Sequence, residues 1–168
     1  MASKKDVFTQ QAYLSVTEDA AGTVKYAQLD TRFSLGTEVL WEINKIDYGP
    51  DGATLKELDA ETDELIFGIA VSNQSDSPSL SDPAIVAYES LLPLVHGTPA
   101  NLEIFRRPIV VKYDPPLAIL PQRLYLFVQS VGFAVPAGIS ARVHYREVKI
   151  TPQLYREILE TYLMLGSS

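Results

Sequence analysis

Two long β-type runs between residues 123 and 150 constrain the fold more than any other part of the chain. The first, RLYLFVQSV (123–131), is apolar on both sides: Leu124, Leu126 and Val128 on one, Tyr125 and Phe127 on the other. Successive strand residues point to opposite faces, so such a strand needs cover on both. The second run, 139–150, places Ile139, Ala141, Val143 and Tyr145 on one face, then shifts its apolar parity to Val148 and Ile150. A turn carrying Gly132, Pro136 and Gly138 separates the two. A rigid sheet with a free chain end is expected here.

The remaining pattern extends the same theme. Residues 11–17 and 23–29 read as short strands, joined by a hairpin loop over Asp19–Gly22 that ends in Gly. EVLWEINKIDY (38–48) is a longer strand: Val39, Trp41 and Ile43 share a face, then parity switches to Ile46 and Tyr48. A switch of this kind indicates a bulge or a strand changing core face. The segment 49–64 is acidic and turn-rich, with one helical turn at 54–58, and 65–72 is a strand. After the polar loop 73–81, Asp82-Pro83 is a good cap and first-turn pair. Ile85, Tyr88, Glu89 and Leu92 then fall at helical spacing, which predicts a short helix, although AIVAY also reads as strand. FRRPIVVKY (105–113) is a strand placed at an edge or bulge by Pro108. Thr151-Pro152 opens a tail helix over 152–165, with Tyr155, Ile158, Leu159, Tyr162 and Leu163 on one stripe.

The fold class that follows is all-β: a single antiparallel jelly roll or β-sandwich of about eight strands, with one or two short helices including the C-terminal one. One domain over 1–168 is expected, with the first ten residues as an arm. Eleven prolines, nine tyrosines and six phenylalanines favour sheet over a helical bundle.

Composition excludes several functions. With no cysteine there is no disulfide framework, thiolate metal site or cysteine nucleophile. The N-terminal MASKKDVFTQQ lacks the apolar stretch of a signal peptide. The net charge is −7, and Lys4-Lys5 and Arg106-Arg107 are the densest basic features, so direct nucleic-acid binding is not expected.

Chemistry-bearing motifs are sparse. There are two histidines, His96 and His144, and neither belongs to an H-x-H metal pattern. There is no G-x-S-x-G elbow and no Gly-rich phosphate loop. Asp47, Asp51 and Gly52 match the start of an EF-hand loop, but Gly49 and Leu58 stand where ligands are needed. Asp47, Asp51 and Asp59 remain as a candidate for another type of calcium site; otherwise no metal or cofactor is expected. Trp41, Tyr48, Tyr125 and Phe127 read as core, with a sugar-stacking platform as the competing use. No enzyme activity is expected.

The stretches RLYLFVQSVG (123–132) and ARVHYREVKIT (141–151), followed by a short amphipathic tail, resemble the closing strands of small single-jelly-roll viral capsid proteins. VLWEINK (39–45) resembles their first long core strand. The resemblance covers about a third of the chain and is one of pattern and order. Lacking a basic arm, the chain is most similar to the small major capsid proteins of tailless icosahedral phages with an internal membrane, such as those infecting Thermus. The resemblance implies a virion protein, made in the host cytoplasm and assembling into a shell through edge strands and termini. Its implied partners are itself, as a homodimer, a larger jelly-roll capsid protein and a membrane surface on the inner side. The expected subunit interface is Tyr125, Phe127, Tyr155, Ile158, Leu159, Tyr162 and Leu163, the tail stripe packing either on its own sheet or on a neighbour. A carbohydrate-binding jelly roll, calcium-assisted and using Trp41 or the acidic 47–64 loop, is the alternative.

Overall fold

The computed structural model describes residues 10–29, 38–96, 101–103 and 109–165; for 94–96, 101–103 and 165 it describes the backbone alone. Residues 1–9 of the expected arm and the strand residues 105–108 lie outside the described residues, as does the His96 side chain, whereas Gln10 opens the first strand.

Among the described residues ten strands run in the order β1 Gln10–Thr17, β2 Lys25–Gln28, β3 Val39–Pro50, β4 Glu64–Ala70, β5 Ile85–Leu91, β6 Leu94–His96, β7 Asn101–Glu103, β8 Ile109–Ile119, β9 Tyr125–Val131 and β10 Gly138–Lys149. Helix α1 (Gly52–Glu57) follows β3, a 3-10 turn (Pro121–Arg123) follows β8, and α2 (Pro152–Leu165) follows β10. One four-stranded sheet has the order β1-β10-β3-β8 (sheet A) and the other β2-β9-β4-β5 (sheet B). The pairs β1/β10, β2/β9, β3/β8 and β4/β5 are all antiparallel. This is the wrapped antiparallel ribbon of a jelly roll: the chain crosses between sheets at almost every connection. Strands β6 and β7 form a small separate ladder in the β5–β8 connection.

The parity switch in β3 is a bulge. Ile43 pairs with Tyr145 and Lys45 with His144, so Asn44 is an extra residue on β3. Without it, Ile46 and Tyr48 would face away from Trp41 and Ile43. With it, all four are buried in one core. Trp41 stacks on Tyr145 with ring centroids 3.5 Å apart, and Tyr48 meets Phe67 of the opposite sheet at 5.0 Å. On β8, residues 113–116 bow out opposite the same bulge, and the peptide Asp114–Pro115 is cis.

Two sequence expectations are corrected. Residues 85–91 form strand β5, not a helix. Asp82 does cap a turn, its Oδ1 accepting from the Ala84 N–H at 2.8 Å, but the chain leaves that turn into pairing with β4. The same Asp-Pro signal serves a turn or a helix, and β-branched Ile85 and Val86 favour the ladder. The 19–22 segment is a corner between sheets, because β1 pairs with β10 and β2 with β9. Gly22, at φ +81°, makes this corner, and its N–H donates to Ser130 Oγ at 3.0 Å.

Buried polar groups fasten the corners. Glu18, 4% exposed, accepts from the Ser130 N–H (2.6 Å), the Ser130 hydroxyl (2.7 Å) and the Ala137 N–H (2.8 Å). Thr54 Oγ1 accepts from the Gly138 N–H at 2.7 Å and donates to its carbonyl at 3.1 Å, fixing α1 to the start of β10. Asp63 Oδ2 accepts the Asp59 and Ala60 N–H groups and closes the turn before β4. Satisfied in this way, each group avoids the penalty of an unpaired buried polar atom.

Candidate functional site

Outward-facing residues of sheet A form a continuous cationic face. Cross-strand pairing sets Tyr13, Arg142, Asp47 and Val110 in one row across β1, β10, β3 and β8. The next row is Gln11, His144, Lys45 and Lys112. The bulge at Asn44 is what brings Lys45 into this register.

Asp47 is the centre of the face. Its Oδ2 lies 2.8 Å from His144 Nε2 and its Oδ1 3.0 Å from Lys45 Nζ. Partial burial alone would raise its pKa, but the hydrogen bonds from His144 and Lys45 outweigh that and hold it below the ordinary carboxylate value. The Arg142 guanidinium sits 5.2 Å from the Tyr13 ring centroid, within cation–π reach. Further along β10, Arg146 pairs with Glu42. An open groove of about 690 Å³ runs beside Tyr13, Ser15, Asp47, Val110 and Arg142. A shallower depression of about 380 Å³ adjoins it over Asn44, Lys45, Lys112 and His144. Among the described residues, neither Lys112 nor Arg142 has a carboxylate within ion-pair reach.

Lys112 and Arg142 on this face can meet negative charge. His144 is oriented by Asp47 as a general base would be, yet among the described residues no hydroxyl hydrogen-bonds to it. The Asp47–Asp51–Asp59 metal candidate does not assemble: Asp47 is engaged with His144 and Lys45, and among the described residues no three His, Asp or Glu side chains are grouped to hold a metal ion.

A second titratable cluster lies inside the sandwich. Burial pushes the Tyr48 hydroxyl pKa up, with nearby Tyr113 and Glu89 adding to the rise. Burial also raises Glu89, which stands on the inner side of β5.

The expected interface residues divide into two groups. Tyr125 and Phe127 stand on the second face of sheet B, where they are 8% and 0% exposed. The chain itself covers them, with Ile66 and Ala70 beside them and Val24, Tyr26, Ile85 and Tyr88 around the margin. Tyr26 donates to the Ser75 carbonyl at 2.9 Å, drawing the polar 73–81 loop over this side, and its burial pushes its pKa up to about 12. Their burial therefore needs no neighbouring subunit. Trp41 and Tyr48, considered with them for sugar stacking, are also core, at 1% and 0% exposed.

The tail residues behave differently. Thr151 caps α2, its carbonyl accepting from the Tyr155 N–H at 3.0 Å and its hydroxyl from the Leu154 N–H at 3.3 Å. Gln122 donates to the Tyr155 hydroxyl, and the Tyr162 hydroxyl donates to the Ala118 carbonyl at 3.4 Å. Tyr155, Ile158, Leu159 and Tyr162 are half-buried, and the two tyrosines tie the helix to the end of β8 and the 3-10 turn after it. Leu154, Leu163 and Met164 remain 42%, 51% and 72% exposed.

The cationic face was missed at the sequence level. Its signal was present in β10, where Arg142, His144 and Arg146 recur at every second position, but its partners on β1, β3 and β8 depend on pairing that only the fold supplies. No protein-family model matches the chain, and no curated protein matches it.

Proposed function

We propose that the chain is a structural shell subunit: a single-jelly-roll capsid protein that self-associates, assembles through its edges and termini, and has no catalytic role. The observation that carries this reading is the incomplete docking of α2. Its tyrosines hold the helix on the subunit, while Leu163 and Met164, neighbours in its last turn, stay exposed as an apolar flank. Exposed apolar surface concentrated in one place marks an interaction site more often than scattered residues do. The stiff two-sheet body with satisfied corners supports the same role, because a shell subunit must keep its shape under neighbour contacts.

The phage resemblance adds a larger jelly-roll partner, a virion location and a membrane on the inner side, and these belong to the same proposal. The test replaces Leu163 and Met164 by Asp and measures solution mass by light scattering. The reading expects lower mass at every concentration, with the thermal unfolding midpoint within a few degrees of wild type because both residues are exposed. Unchanged mass would remove the tail as the interface.

A further inference from the structure

Beyond the α2 flank, two surfaces carry charge that no ion pair among the described residues neutralises. One is the cationic face of sheet A. The other is the segment 49–64 between β3 and β4, which holds six carboxylates against one lysine. Within that segment Asp63, Glu64 and Glu57 are engaged with Ala60, Ser90 and the Ala134 N–H respectively. Asp51, Asp59 and Glu61 are exposed, and among the described residues none of them is in a salt bridge.

We infer that the cationic face of sheet A is the docking surface for the acidic turn of a second copy of this chain, an inference that rests on the shell-subunit reading. The charges are complementary: among the described residues, Lys112 and Arg142 on the face have no acidic partner, and Asp51, Asp59 and Glu61 on the turn no basic one. The face also has the non-charged parts of a protein interface. Tyr13, 64% exposed, lies under Arg142, and Val110, 48% exposed, flanks the groove. Tyr and Arg are the residues enriched where protein partners dock. A long polyanion would need a run of unneutralised cations, whereas Lys45 and His144 are already shared with Asp47 and Arg146 with Glu42.

The two patches are different surfaces, so the contact is head-to-tail. Such contacts propagate into rings or extended arrays instead of stopping at a dimer. The α2 flank then supplies a separate contact, and two independent contacts per subunit are enough to build a two-dimensional lattice.

The test is a charge swap on the full-length chain, followed by sedimentation velocity in low and high salt. Wild-type association should weaken roughly tenfold or more between about 50 and 500 mM NaCl, as screening predicts for exposed pairs. Arg142→Glu with Lys112→Glu should weaken it at low salt, as should Asp59→Lys with Glu61→Lys. Mixing the two variants should restore association, because the reversed face then meets the reversed turn. Circular dichroism melts identify any variant that fails to fold, and Arg142→Gln with Lys112→Gln then replaces it. Association that persists through both reversals, or a mixture that stays apart, overturns the contact while leaving the shell-subunit reading in place. A wild-type chain that is monomeric throughout overturns both. Retention on a dextran sulfate column that Arg142→Glu abolishes, with mass unchanged, overturns the contact and assigns the face to a polyanion.

Discussion

Glu18→Gln should destabilise the sandwich far more than a change of one atom suggests. Glu18 directly follows β1, and its carboxylate takes three donors from segments distant in sequence: the Ser130 N–H and hydroxyl on β9 and the Ala137 N–H before β10. Glutamine keeps the length and one acceptor oxygen. If that oxygen stays with the Ser130 N–H, the new amide NH₂ faces the Ala137 N–H, donor against donor. The Ser130 hydroxyl can rotate to accept, but the Ala137 N–H cannot. One hydrogen bond to a carboxylate, worth ~1.5–3 kcal/mol, is lost, and a buried N–H left unpaired costs ~1–3 kcal/mol. The two figures overlap in what they count, so a net loss of about 3 kcal/mol is expected. At a urea m-value of about 2 kcal/mol/M, the unfolding midpoint falls by about 1.5 M with m unchanged. The assay is urea unfolding followed by tryptophan fluorescence, since Trp41 is the sole tryptophan and lies in the core. A Glu18→Gln midpoint within about 0.3 M of wild type would refute the reasoning, and so would stabilisation, since each would mean that the three bonds do not hold the corner.

Gly68→Ala should cost about 3 kcal/mol, because the added methyl runs into the Ala87 carbonyl and stands 2.9 Å from the Phe127 ring, and a backbone neighbour in a paired strand cannot step aside; urea unfolding of the variant checks it. Asp47→Asn should flatten the acid limb of the stability–pH curve. The folded pKa lies below the ordinary 3.8, so the stabilisation is present above that value and disappears as pH falls through the folded pKa. Its size at neutral pH should be below about 1 kcal/mol, because the pairs are partly exposed; thermal melts from pH 2 to 7 measure it. Glu89 has the opposite sign: its folded pKa is raised, so its contribution falls as pH rises from 4.5 through the folded value, and Glu89→Gln should remove that decline.

Much of the fold was legible because one signal dominated locally. The parity switch 41–43 to 46–48 offered a bulge or a change of core face before any pairing was known, and the extra residue Asn44 in the ladder decides for the bulge. The Thr151-Pro152 cap and the stripe through Tyr155 and Tyr162 marked α2 in the same way. Residues 85–91 were ambiguous because an Asp-Pro turn opens helices and strands alike, and the ladder with β4 decides between them. Strand β8 extends through Pro115 and Pro116 to Ile119, further than prolines ordinarily permit, because it is the edge of sheet A and those residues bow out of the ladder. Glu18 gave no sequence signal at all: it reads as a surface residue at a strand end, and its donors are more than 110 residues away. For the same reason Phe127 looked available to a neighbour until the chain's own Val24, Tyr26 and 73–81 loop were seen beside it.

The shell-subunit reading stands on self-association, so the most direct measurement is the mass of the full-length chain by light scattering after size exclusion, from micromolar to about millimolar concentration. A dimer or larger assembly whose mass rises with concentration is the predicted result. A monomer of 18.6 kDa across the whole range would contradict it.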